Sequence, residues 1–352
     1  MTKPLASVGL DADNFWSYKR THGDADWVER PSYLPILAER MVASFSTHAI
    51  KPTVFVVGAD AAAADGPDFV QAMTDYGCEI GSHSYEHEPW LHLYSPQKLR
   101  DELKRTEDVI QAAGAPKPRG FRAPGFAMSP DLMRALVELD YDYDCSVLAT
   151  WIGPFARQYY LRTNKDLTKS EREDRKALFG SMWDAALPNK PFTWKAPCQH
   201  GAPAPVPGTQ VSTDGKGELI SPAVQLTEVP VTVFPLVRVP IHASYVIYLS
   251  GYSMPVAKAY IRTALAFCKA TGTQPSLLLH PLDLLDGSDA PGLEFFPGMN
   301  MQLAKKQEML DFIIGEFNRH YTLVSVGEHA ESIKGIPVAE RGIDLLHRGR
   351  KA

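Results

Sequence analysis

The chain has 352 residues, 45% of them apolar, which is enough for a barrel-sized core, and its net charge of −5 without a long basic block argues against a nucleic-acid partner. Four dispersed cysteines with no Cys-x-x-Cys pair read as reduced, mostly buried thiols. Met1 runs straight into an apolar strand with no signal-peptide pattern, and no apolar run approaches ~18 residues, so the expected location is cytoplasmic with no transmembrane segment. The basic tail, Arg341 and then His347 to Lys351, reads as a solvated terminus or as a peripheral contact with an anionic inner-membrane face.

Short apolar runs alternate with amphipathic stretches along the chain. A strand over Ser7–Leu10 delivers Asp11 and Asp13 to its carboxyl end, and a helix around Tyr33–His48 leads to a strand over Thr53–Val57. A helix over Asp68–Tyr76 precedes a strand over Glu79–Ser82, which His83 and His87 follow directly. Ser95 with Pro96 starts a helix that ends at Gly114, and Ser129 with Pro130 starts another that runs to Leu139. Strands over Gly120–Arg122 and Tyr143–Val147 flank the second of these.

The rhythm breaks after Trp151. Residues 151–221 hold a charged helical piece, Lys165–Lys176, and a proline-rich segment, Ala196–Gly208. They also carry aromatics at Trp151, Phe155, Tyr159, Tyr160, Phe179, Trp183, Phe192 and Trp194. We read this stretch as an insertion or lid within one domain spanning 1–352. Strands over Glu228–Val233, Ser276–Leu279 and Thr322–Val326 then resume, with helices over Val256–Thr271 and Gln302–Arg319. Such alternation predicts a parallel sheet or barrel whose active site lies at the carboxyl ends of the strands. Asp11, Asp13, His83, His87, Arg122, Asp144 and His280 all fall at such ends.

Histidines at i and i+4 share one face of a helical turn, so His83 and His87 can reach one cation. With Asp13 they would form a two-histidine, one-carboxylate site that leaves positions open for water and substrate. Each feature alone has an ordinary reading. Asp-x-Asp after a strand is often a turn or helix cap, a histidine pair a coincidence of spacing, and Arg122 a surface arginine. His280 could be a satisfied core histidine, and Asp140 and Asp142 compete with Asp144. His92, His200 and His242 are weaker candidates, of which His242 is the most notable.

Taken together, Asp11-Ala12-Asp13, His83-Ser84-Tyr85-Glu86-His87, Phe121-Arg122-Ala123-Pro124-Gly125, Tyr143-Asp144-Cys145-Ser146 and Leu279-His280-Pro281 resemble the polysaccharide deacetylases. These are the NodB-homology, or carbohydrate esterase family 4, enzymes. The resemblance implies an α/β fold, a distorted (β/α)7 barrel, and a metal-dependent amide hydrolase. It implies that Asp13, His83 and His87 hold a divalent ion, zinc first, with cobalt, nickel or manganese as alternatives. Asp11 would be the base, Arg122 its partner, and His280 the acid that protonates the departing amine, oriented by Asp144. The Gly125 N–H would be an oxyanion donor, since Pro124 has none. Asp-x-Asp in the first motif and Gly125 in the third look closer to a subgroup that includes lipid-linked aminoarabinose deformylases.

The expected activity is removal of acetyl or formyl from an amino sugar, free or carried on a nucleotide or polyprenyl phosphate. Two readings compete with it: hydrolysis of a non-sugar amide such as a ureide or cyclic imide, and a barrel that binds carbohydrate without turning it over. The apolar stretches Phe234–Ile241 and Tyr245–Leu249 read as core, or as a lipid-facing or oligomer surface.

Overall fold

Residues 3–155, 157–158, 182–200, 212–213, 219–221 and 223–348 are described in the computed structural model. The strands in chain order are β1 (Leu5–Ala12), β2 (Thr53–Val56), β3 (Glu79–Ser82), β4 (Gly120–Phe121), β5 (Tyr143–Asp144) and β6 (Phe192–Ala196). Three short strands follow, β7 (Gln199–His200), β8 (Ser212–Thr213) and β9 (Leu219–Ser221), which form a separate antiparallel sheet. The chain then adds β10 (Val224–Glu228), β11 (Ser276–Leu279), β12 (Thr322–Val324) and β13 (Ala339–Gly342).

The main sheet runs β11-β1-β2-β3-β4-β5-β10-β6-β13, with β12 also on β1. All its pairs are parallel except β10 with β6. The fold is therefore α/β on a mostly parallel sheet. No ladder among the described strands closes it into a ring. Thr232 N–H donates to the Ser276 carbonyl at 3.0 Å, and Ser276 N–H donates to Thr232 Oγ1 at 2.8 Å, which ties the segment after β10 to the start of β11.

Side chains alternate along β1, as a strand requires. Ala6, Val8, Leu10 and Ala12 pack outward among the helices, in the core that also holds Leu37, Ile261 and Ile313. Ser7, Gly9 and Asp11 face the other way, toward His329, Phe55 and Arg122. Large interior rings need space: a Cβ on Gly81 would lie 2.5 Å from Phe55 Cδ1, and one on Gly120 2.0 Å from Tyr143 Cζ. At the amino ends of the strands, Glu79 accepts from Tyr143 Oη at 3.0 Å and from the Gly327 N–H at 2.9 Å. The start of the helix Val326–Ser332 thereby plugs that end with a carboxylate at its N-terminus.

Two sequence expectations shift. The strand read over Glu228–Val233 is observed at Val224–Glu228, with residues 229–233 continuing through the single bridges Leu148 to Val231 and Val233 to Pro240. Within 151–221, Phe192–Ala196 is a strand of the main sheet, with Phe192 and Trp194 fully buried. Trp151, Phe155 and Trp183 are exposed instead. Lys165–Lys176, Tyr159, Tyr160, Phe179 and residues 201–208 of the proline-rich segment lie outside the described residues. Of the apolar stretch after Val233, Ile241, Val246 and Ile247 are core, whereas Leu236 and Val237 are exposed. No helix among the described residues is long and apolar enough to cross a membrane.

Candidate active site

Register places the chemistry-bearing residues on one rim. Leu10 pairs with Leu279, so Asp11 and His280 emerge side by side. Ala12 pairs with Val56, Val56 with Ser82, and Ser82 with Phe121, so Asp13, His83 and Arg122 also leave the sheet at one level. Each is the next residue after a paired strand position, where side chains reach the carboxyl-end mouth of a parallel sheet.

Asp13, His83 and His87 converge, with ligand atoms all within 4.8 Å of one another. The Nε2 atoms of His83 and His87 lie 3.1 and 3.0 Å from Asp13 Oδ1, yet this buried oxygen has no partner in hydrogen-bond geometry. The His83 Nδ1 lies 2.7 Å from the Arg122 carbonyl, which can only accept; Nδ1 therefore carries the proton and Nε2 the lone pair. Two imidazoles and a carboxylate aimed at one point, with an orphaned buried oxygen among them, fit a divalent cation. Burial pushes the Asp13 carboxyl up, but the neighbouring His87 and His83 outweigh it and hold it well below the usual carboxylate range.

The histidine pair does not sit on a helix. Residues 83–90 form a loop in which Ser84 and His87 adopt left-handed backbone, φ 61° and 51°. The expectation of a helical turn fails because the loop is held otherwise: Glu102 Oε1 accepts the N–H of Tyr85 at 2.9 Å and of Glu86 at 2.7 Å. The loop also accepts the Gly58 and Ala59 N–H groups on the Ser84 and Tyr85 carbonyls at 2.8 and 2.9 Å. A carboxylate clamp and a neighbouring chain bring the rings together, and backbone strain is retained where it positions a ligand.

Asp11 is buried, and its Oδ1 accepts from Arg122 Nη1 at 3.1 Å. Arg122 is fully buried, lies over the Phe55 ring at 4.7 Å, and donates from Nε to Cys145 Sγ at 3.3 Å. It is not a surface arginine. Burial alone would lower its pKa, but Asp11 and Cys145 push it above the usual value. Gly125 follows Pro124 in a single 3₁₀ turn with φ 58°.

His280 caps β11. Its N–H donates to Asp283 at 2.9 Å, and its Nδ1 meets Ser244 Oγ at 2.9 Å. The group beside the His280 ring is therefore Ser244 rather than Asp144. Asp144 instead accepts from Ser146 Oγ at 2.6 Å and couples to Glu228, because β5 and β10 pair Asp144 directly with Glu228 inside the sheet. His242 caps the helix Ala243–Tyr252, accepts the Tyr245 N–H on Nδ1, and places its ring 6.0 Å from that of His280. Burial, with His280 alongside, drives its pKa down to about 3. His92 lies in the 3₁₀ turn Leu91–Leu93, and the side chain of His200 is outside the described residues.

Supporting residues went unread in the sequence. The Tyr33 hydroxyl donates to the Asp13 carbonyl, and Asn14 Oδ1 accepts the Tyr33 N–H at 3.1 Å. Asp60 takes Asn14 Nδ2 at 3.0 Å and Trp16 Nε1 at 2.6 Å, which fixes the loop behind the ligand. Tyr18 is buried beside Asp13; burial first, then Asp13, Tyr33 and Asp283, raise its hydroxyl pKa. An Asp-Asn step before a helix was the available signal for Asn14, and an Asp three residues after His280 for Asp283.

The fold superposes on a crystal structure from Mycobacterium smegmatis described as a polysaccharide deacetylase, with a TM-score of 0.55 and 16% identity over 97% of this chain and 98% of that one. By sequence, 91 residues are 33% identical to a peptidoglycan deacetylase-like protein of Gibberella zeae, covering 26% of this chain and 25% of that protein. A further 57 residues are 42% identical to a bifunctional xylanase/xylan deacetylase of Cellvibrio japonicus, covering 16% of this chain and 8% of that protein. The chain thus spans a quarter or less of the curated relatives it matches. Residues 31–143, which contain His83, His87, Arg122 and Gly125, match the polysaccharide deacetylase family model.

Proposed function

We propose that the protein is a divalent-metal-dependent hydrolase that removes an N-acyl group, acetyl or formyl, from an amino sugar. The observation that carries this reading is the convergence of Asp13, His83 and His87 on a rim that also presents Asp11, Arg122 and His280. A zinc-like ion held by the three ligands would supply Lewis acidity to the amide carbonyl and lower the pKa of a bound water.

The chain's own residues do the rest. Arg122 holds Asp11 by Oδ1, leaving Oδ2 to take a proton from the attacking water. Ser244 orients His280 through Nδ1, leaving Nε2 to give a proton to the departing amine. The left-handed turn at Gly125 presents a backbone N–H for the developing oxyanion. The matched family supports an N-acetyl sugar as substrate, and the Asp-x-Asp motif supports a place near the lipid-linked deformylases.

The test is release of acetate and formate from a panel of N-acylated amino sugars, with ureides and cyclic imides alongside. Acetate or formate appears with the sugars and is lost in Asp11→Asn and His83→Ala. Undiminished hydrolysis in either variant ends this reading.

A further inference from the structure

A cleft of about 580 Å³ opens beside the residues that lead into β11, β6 and β13. It is lined by residues 271–274 before β11, by residues 336–339 after the helix Val326–Ser332, and by the turn around Leu236. His280 lies at the other end of β11, so this cavity is separate from the candidate active site. Its volume lies within the range typical of small-molecule sites.

Among the described residues three cations line the cleft, Lys190, Arg238 and Arg341, and no acidic residue does. Among the described residues none of the three pairs with a carboxylate. Lys190 reaches the Thr271 carbonyl, Arg238 the Leu187 carbonyl, and Arg341 the Glu340 carbonyl. Glu340, the nearest acid in sequence, is taken by Lys195 at 2.7 Å. Three positive groups around one concavity with no countercharge create a field that favours an anion.

The backbone points the same way. Leu236 and Arg238 both adopt left-handed conformations, φ 72° and 56°, uncommon for residues with a Cβ. Arg238 is nonetheless held there by its N–H on the Phe234 carbonyl at 2.9 Å. Strain of this kind persists where a side chain must be placed. Burial, with no acid to offset it, lowers the Arg238 pKa from its usual value.

We propose that this cleft is a second binding site, for a small ligand bearing a diphosphate or phosphate ester. Arginine forks and a lysine match phosphate oxygens in geometry as well as charge. The exposed apolar rim, Leu236 and Ile336, accommodates the organic part of the ligand.

The experiment is calorimetric titration of the full chain with inorganic pyrophosphate at low and high salt. Saturable binding is expected, weakening with salt and falling at least about tenfold in an Arg238→Gln, Arg341→Gln double variant of unchanged melting temperature. If that variant does not fold, Lys190→Gln at an exposed position gives the same readout with a smaller loss. Uridine diphosphate and vesicles containing phosphatidic acid form two further arms. Binding of the first identifies a soluble ligand and of the second a lipid headgroup. No binding of pyrophosphate at millimolar concentration, or equal binding by the variants, overturns the proposal.

Discussion

His83 Nδ1 donates to the backbone carbonyl of Arg122 at 2.7 Å, while the side chain of the same arginine holds Asp11 at 3.1 Å. One residue thus fixes the tautomer of a candidate cation ligand through its main chain and the geometry of the candidate base through its side chain. The two roles are separable, because substitution at 122 removes the guanidinium and leaves the carbonyl in place.

Arg122→Met therefore separates metal from catalysis. The variant should bind close to one divalent ion per chain while kcat falls about 10²–10⁴-fold, the range expected when a general base is lost. It leaves Asp11 buried beside an apolar side chain, at a cost of about 3–5 kcal/mol in stability. Metal content by elemental analysis, set against kcat, checks it. Loss of metal in parallel with activity would show that the guanidinium supports the ligands instead.

Glu102 acts on the ligands from the other side. Its Oε1 takes two N–H groups of the loop between His83 and His87, so Glu102→Ala frees that loop. Loss of a charged acceptor costs about 1.5–3 kcal/mol. Metal affinity should fall about 10–100-fold, as it does when a supporting partner of a ligand is lost. Competition with a chromophoric chelator measures this. Unchanged affinity would mean that the loop keeps its shape without the clamp.

Much of this was legible in the chain, and the reason is periodicity. Strand ends could be found from apolar runs, and strand parity put Asp11 and Asp13 on one face. Neither pattern carries information about partners distant in sequence. His280 lies next to Ser244, and Asp144 next to Glu228, through sheet register and a crossover that a local reading does not supply. The 83–87 loop misled for a related reason. An i, i+4 spacing is common to a helix and to a strained loop, and Glu102, which decides between them, lies far along the chain. Short strands such as Gly120–Phe121 are set by neighbours on both sides, so their lengths were overestimated from the apolar runs alone.

Asp60 gives a pH dependence with a definite sign. Burial, against the hydrogen bonds of Trp16 and Asn14, pushes its carboxyl up from 3.8 to about 7. The folded state then holds this proton more tightly than the unfolded chain does. The stability it contributes is complete below about pH 4 and is lost as pH rises through about 7. Asp60→Asn keeps the Oδ1 acceptor but carries no charge. Relative to that variant, the wild type should lose on the order of 3–4 kcal/mol between these limits. Urea melts at several pH values test it, and parallel curves for the two proteins would refute the assignment.

The last prediction concerns Asp144, placed by the structure away from His280 and against Glu228. Both are fully buried, and burial raises both pKa values; the Asp144 charge raises that of Glu228 further. Two carboxyls in one dry site share a proton, and here Glu228 keeps it and donates to Asp144. Glu228 also accepts the Val147 N–H at 3.0 Å and Trp194 Nε1 at 2.9 Å. Glu228→Ala strands all of these at once and should cost about 3–5 kcal/mol. Glu228→Gln keeps a donor toward Asp144 and one acceptor, so its loss should be nearer about 1–3 kcal/mol, that of one unmade hydrogen bond. Because Glu228 has its folded pKa above its unfolded one, its contribution fades as pH rises through the folded value, and the Gln variant should close the gap with wild type in alkali. Equal destabilisation by Ala and Gln at every pH would show that the pair does not hold a shared proton.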